Sequence, residues 1–95
     1  MRITTIAECR NFGKAGTATY RFETTMPFMP IPGTKLMIGN VELTMADNVI
    51  TWDNDESVCY IVYNRYGLSR GKLAEEHASF IEAGWRVLSK TGVLV

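Results

Sequence analysis

The sequence predicts an α+β fold. It reads as a four- to five-stranded antiparallel bent sheet, or small open barrel, followed by one C-terminal amphipathic helix. Three observations carry this. Apolar and β-branched residues alternate with a period of two over Thr17 to Thr25, among several short strand-like runs that precede residue 64. One stretch near the end repeats at helical period instead. The 95 residues fit one domain, 1–95, with no room for two. Strands are expected over about 3–64 and the helix over about 70–90.

The strands come first. Thr17 to Thr25 alternates cleanly, with Ala18, Tyr20, Phe22 and Thr24 on one face and Thr19, Arg21 and Glu23 on the other. Ile3 to Cys9 is a further strand, and Asn11 to Gly16 reads as the connecting loop. Met26 to Gly33 carries Pro27, Pro30 and Pro32, which remove ladder donors, so it is an extended connection and not a central strand. Lys35–Ile38 and Val41–Met45 flank Gly39-Asn40, a pair suited to a tight hairpin turn. Val49–Trp52 and Ser57–Asn64 form a second hairpin around Asp53-Asn54-Asp55-Glu56.

The helix follows. Leu73, His77, Phe80, Ile81, Gly84, Trp85 and Leu88 form one stripe, with Lys72, Glu75, Glu76, Ser79, Glu82 and Arg86 on the other side. Ser69 is the expected N-cap, Leu68 and Leu73 match a hydrophobic staple, and Gly92 is the expected stop. Gly84 on the stripe suggests close approach to the sheet. A lone helix needs an apolar surface to lie on, and the sheet supplies it.

Composition narrows the function classes. Hydrophobic residues make up 46% and charged residues 21%, too apolar for a disordered chain. Ten basic residues cancel ten acidic ones, which disfavours attachment to nucleic acid or membrane through bulk charge. No apolar run approaches the ~18–20 residues of a membrane span. The start, Met1-Arg2-Ile3-Thr4-Thr5, has no apolar core of a signal peptide, so a cytoplasmic location with reduced thiols is expected. Cys9 and Cys59 are too few for a disulfide scaffold or zinc cluster and lack a Cys-x-x-Cys spacing. No metal or cofactor is expected.

Catalytic patterns are sparse. His77 is the one histidine and sits on the helix stripe, as a core or boundary residue would. An enzyme using His77 with Cys9 or Cys59 is the weakest of three readings. Asp53, Asp55 and Glu56 resemble the opening of a calcium loop. However, Val58 stands where that loop needs glycine, and Asn64 where it needs glutamate. Gly13-Lys14-Ala15-Gly16-Thr17 has the letters of a phosphate loop in the wrong arrangement, and Lys14 leads into a strand.

Tyr63 to Lys72 is the most informative segment. Arg65, Arg70 and Lys72 surround the start of the helix, where the dipole already disfavours cations. A phosphate or carboxylate would relieve the conflict, using helix N–H groups, Ser69 and the arginines, while Tyr63 and Tyr66 stack a base. The opposing account has these charges solvated or paired with Glu75 and Glu76. From Val41 to Asn64 there are five acidic residues and no basic one, which opposes an extended nucleic-acid track and favours a compact anion.

Met26, Phe28, Met29 and Ile31 lie in the proline-rich stretch. Exposed, they form a surface for a host protein or a second copy of the chain; buried, they plug the sheet's open end. The run Pro27-Phe28-Met29-Pro30-Ile31-Pro32-Gly33, then Trp52-Asp53 and a final amphipathic helix, resembles the layout of short accessory proteins of phages and mobile elements. That resemblance implies a binder of something in the host cytoplasm, such as a defence protein or a nucleotide signal. Three expectations result. The first is a non-enzymatic module binding a small anionic, nucleotide-like ligand at Tyr63, Arg65, Tyr66, Ser69, Arg70 and Lys72. The second is a protein–protein inhibitor or adaptor acting through 26–33 and the acidic hairpins. The third is the Cys/His enzyme.

Overall fold

The computed structural model describes residues 3–27, 35–44 and 48–95. Strand β1 (Ile3–Gly13) and strand β2 (Gly16–Met26) form an unbroken antiparallel hairpin, from Ile3 opposite Met26 to Gly13 opposite Gly16. The expected loop at Asn11–Gly16 is therefore shorter: Asn11 and Phe12 belong to β1, and the turn is Lys14-Ala15. Strands β3 (Lys35–Ile38) and β4 (Val41–Thr44) form a separate two-stranded ribbon. Its turn has Gly39 and Asn40 at φ 52° and 61°, the left-handed pair a two-residue hairpin requires.

Strands β5 (Asn48–Asp53) and β6 (Val58–Leu68) make the second hairpin. Asp53 Oδ1 accepts the backbone N–H of Asp55 at 3.0 Å and of Glu56 at 3.1 Å. Asp53 is thus committed to closing the turn, as an Asx turn does.

The architecture is α+β. Five strands form one sheet in the order β5-β6-β1-β2-β7, where β7 is Arg86–Lys90. The sheet is mostly antiparallel, but β1 and β6 run parallel, with Thr4 opposite Val58 and Asn11 opposite Arg65. It does not close into a barrel, and β5 and β7 are its edges among the described residues. Parallel neighbours need a long crossover. Here that crossover contains β2, the β3–β4 ribbon and β5, which local periodicity does not register.

The helix, α1, spans Arg70–Glu82 and is shorter than expected. Ser69 caps it, its hydroxyl accepting the Lys72 N–H at 3.2 Å. Its end is a Schellman motif: Gly84 N–H donates to Ile81 O at 3.1 Å and Trp85 N–H to Phe80 O at 3.0 Å. Gly84 has φ 85°, and a Cβ there would meet nothing within 4 Å. Its role is the left-handed stop and not close approach to the sheet. Gly92 instead opens a final 3-10 turn, Gly92–Leu94. Trp85 and Leu88 continue the helical stripe in sequence, yet Arg86–Lys90 is a strand paired with β2.

The core lies between one sheet face and a layer made of α1 and the β3–β4 ribbon. Tyr20 stacks on Phe80 at 4.2 Å, Phe80 meets Trp85 edge-on at 5.0 Å, and Phe22 packs on Trp85 at 5.4 Å. Trp85 Nε1 donates to Gly39 O at 3.3 Å. Sheet, helix and ribbon thus meet at Trp85. Leu36, Ile38, Leu43, Ile61 and Leu73 are also buried. Ile81, placed on the apolar stripe by the sequence, is 50% exposed, while Glu76, placed on the polar side, is half-buried against the sheet.

Candidate functional site

Strand β6 outruns its antiparallel partner. The last β5 contact is Asn48 opposite Tyr63, so Asn64–Leu68 pair only with β1 among the described residues. There the ladder bulges: Asn11 faces Arg65 and Gly13 faces Leu68, leaving Tyr66 and Gly67 opposite Phe12. Gly67 accommodates the extra residue at φ 69°. The bulge brings the Phe12 and Tyr66 rings into a parallel stack, centroids 5.0 Å apart and planes 10° from parallel. Tyr66 is 72% exposed. Beside it lies an open hollow of about 540 Å³ lined by Tyr63, Asn64, Arg65, Tyr66 and Leu68.

The six expected site residues divide into two groups. Tyr63, Arg65 and Tyr66 line the hollow. Ser69, Arg70 and Lys72 lie at the start of α1 and do not. Pairing with the molecule's own carboxylates holds for two of the three cations. Arg65 donates to Glu76 Oε1, and Glu76 Oε2 lies 3.5 Å from Asn11 Nδ2. Lys72 Nζ sits 3.8 Å from Glu75 Oε1, an exposed pair of little energetic weight. Ser69 is occupied by the cap. Arg70 is exposed and forms no ion pair among the described residues. The first turn of α1 contains no acidic residue. The expected crowding of three unpaired cations is therefore reduced to one, because the second helical turn supplies carboxylates.

Two further residues, Phe12 and Glu76, belong to this region. Phe12 continues the alternation of Thr4, Ile6, Glu8 and Arg10 on the sheet face away from α1, a signal hidden by the glycines after it. Glu76 lies three residues after Leu73 and four before Phe80, so helical geometry places it toward the sheet.

The Cys/His arrangement is not assembled. His77 Nδ1 and the Tyr20 hydroxyl are 2.6 Å apart, and neither thiol hydrogen-bonds the imidazole among the described residues. Burial pushes the Cys9 thiol up to about 12; nearby Arg65 opposes this, and Glu76 and Glu8 add to it. Burial also raises the Cys59 thiol. Neither is primed as a thiolate. Both are free, and Cys59 faces Thr5 in the ladder, four residues along from Cys9 and so roughly 13 Å away.

The proline-rich surface is not supported where it is described. Met26 is buried in the core and unavailable to a partner. Phe28, Met29 and Ile31 lie outside the described residues. Among the described residues no three His, Cys, Asp or Glu side chains converge as a metal set, and no helix is long and apolar enough to cross a membrane. Compared with known protein families, curated proteins and solved structures, the chain shows no match.

Proposed function

We propose that the protein is a non-enzymatic binding module for a small phosphate-bearing ligand with a planar ring, of nucleotide type, held at the β6–α1 junction. The observation that carries this reading is Tyr66, largely exposed yet fixed in orientation by its stack on Phe12 beside an open hollow. An immobilised ring with one free face stacks a base without losing rotamer freedom on binding. Four residues on, Arg70 supplies a cation to a helix start with no acidic side chain to compete for it. First-turn N–H groups have no partner within a helix and favour anions.

The roles of the six residues differ accordingly. Tyr66 stacks the ring, Arg70 meets the phosphate, and Tyr63 lines the hollow. Arg65 holds α1 to the sheet, while Ser69 and Lys72 fix the helix start. Such a module acts by sequestration or sensing. The adaptor reading through 26–33 has no comparable support, since Met26 is buried.

The test is a thermal shift and calorimetric titration against mono-, di- and cyclic nucleotides. At least one member is expected to stabilise the protein. Base–aromatic stacking is worth about 1–3 kcal/mol, so Tyr66→Ala should weaken binding by roughly 5- to 150-fold while Tyr66→Phe binds as before. Arg70→Ala should weaken binding most for the ligands with most phosphate charge. No stabilisation by any nucleotide, or equal binding by Tyr66→Ala, overturns the reading.

A further inference from the structure

The sheet face away from α1 carries a charge arrangement that the fold alone does not explain. Tyr20 and Phe22 face the core, so Arg21 between them faces outward. In the β2–β7 ladder Arg21 stands directly opposite Arg86, which lies between the core-facing Trp85 and Val87. Two arginines are thus held at facing positions, about 5 Å apart at Cβ, where like charges destabilise a ladder. The carboxylate opposite Arg21 is already engaged. Glu8 faces Arg21 across β1–β2, but its Oε2 accepts from Nε and Nη2 of Arg10. Neither Arg21 nor Arg86 forms an ion pair among the described residues. Beside them lies an open hollow of about 360 Å³, lined by Arg21, Phe22, Glu23, Gly84 and Arg86.

We infer that Arg21 and Arg86 form a second anion site, for a small phosphate monoester that carries an amine. The site is separate from the Tyr66 hollow, with which it shares no lining residue, and does not depend on the nucleotide reading. A doubly charged phosphate accepts hydrogen bonds from both guanidinium groups and replaces their mutual repulsion with a shared attraction. The backbone is set for this, because each arginine lies between two residues packed in the core. Gly84 keeps the hollow open, since no side chain stands there and a Cβ would meet nothing within 4 Å. Glu23 sets the amine requirement. It is exposed, lines the same hollow and forms no ion pair among the described residues. Its carboxylate repels bare phosphate and accepts from an amine beside the phosphate. The volume suits a small molecule.

The test is a titration of the full chain with O-phosphoethanolamine, with inorganic phosphate and ethanolamine as reference ligands at matched ionic strength. It is followed by the arginine Nε–Hε signals in NMR and by thermal melts. The Arg21 and Arg86 signals should shift together and saturate, with phosphoethanolamine binding tightest and ethanolamine having no effect. At roughly tenfold above Kd, the melting temperature should rise by about 6–11 °C. Without ligand, Arg86→Gln should melt higher than the unaltered protein, because the like-charge pair is gone, and it should lose the ligand response. Lys14→Gln removes an exposed cation elsewhere and should keep that response. Shifts confined to Arg70, shifts that never saturate, a response retained by Arg86→Gln, or a lower melt of Arg86→Gln without ligand overturns the inference. Equal binding of inorganic phosphate overturns the amine requirement. The nucleotide reading fails separately, at Tyr66.

Discussion

The Arg65–Glu76 pair sets the balance at the candidate site. The structure places the Arg65 guanidinium against Glu76, whose carboxylate also faces the amide of fully buried Asn11. Removing one partner strands the other in a half-buried setting, which costs more than the pair itself contributes. Glu76→Ala should therefore destabilise the fold by about 1–3 kcal/mol, read from urea denaturation. It should also free Arg65 and raise anion affinity at the hollow. A neutral effect on stability would show that water already screens the pair. His77 yields a second prediction. Burial and then Lys90 hold its pKa below the usual 6.5, so the unfolded chain takes up the proton first as pH falls. Its contribution is complete above pH 6.5 and is lost as pH falls below that value toward the folded pKa. The melting temperature should drop between pH 7.5 and 5.5 (about neutral to mildly acidic) and drop less in His77→Gln, the chain having one histidine. Equal pH slopes would assign the loss to carboxylates.

At the scale of elements, the helix shows what local sequence does and does not encode. Ser69 was legible as the N-cap because a hydroxyl before a periodic run has one local role. The stop is not legible locally because Trp85 and Leu88 extend the helical stripe, and only pairing with β2, which turns Val87 inward and leaves Leu88 exposed, ends the helix before them. Gly84 resolves that ambiguity. At φ 85° with open space around it, Gly84→Ala should cost only the left-handed backbone penalty, about 1–2 kcal/mol, with no clash. Gly13→Ala should cost more, since its Cβ would lie 2.4 Å from Leu68 O and 2.9 Å from the Leu73 side chain. Comparable losses in thermal melts would mean that Leu68 and Leu73 shift to admit the Gly13 Cβ. The hairpins at Gly39-Asn40 and Asp53–Glu56 were readable for the same local reason as Ser69. The β1–β6 pairing was not, and with it the bulge that stacks Phe12 on Tyr66 stayed invisible, because its partners lie over fifty residues apart (Thr4 and Val58).

In the whole molecule, one layer depends on the other. Among the described residues the sheet buries its inner face chiefly against α1 and the β3–β4 ribbon, and the two layers are joined through Tyr20, Phe80, Trp85 and Phe22. A chain of this size buries only about 60–65% of its unfolded surface, so it has little stability in reserve. Ending the chain at Gly71 would remove Leu73, Phe80 and Trp85 from the core and β7 from the edge of β2. Burial of three such side chains stabilises by roughly 5–9 kcal/mol, which is comparable to the whole ~5–15 kcal/mol of a small domain. It would also uncover Tyr20 and leave β2 as a long, unprotected edge. The truncated chain should lose cooperative unfolding and aggregate, read by circular dichroism and thermal melts. A soluble, cooperatively melting 1–71 chain would mean that the ribbon alone closes the core, and that the helix start is an appendage whose anion site can vary without cost to the fold.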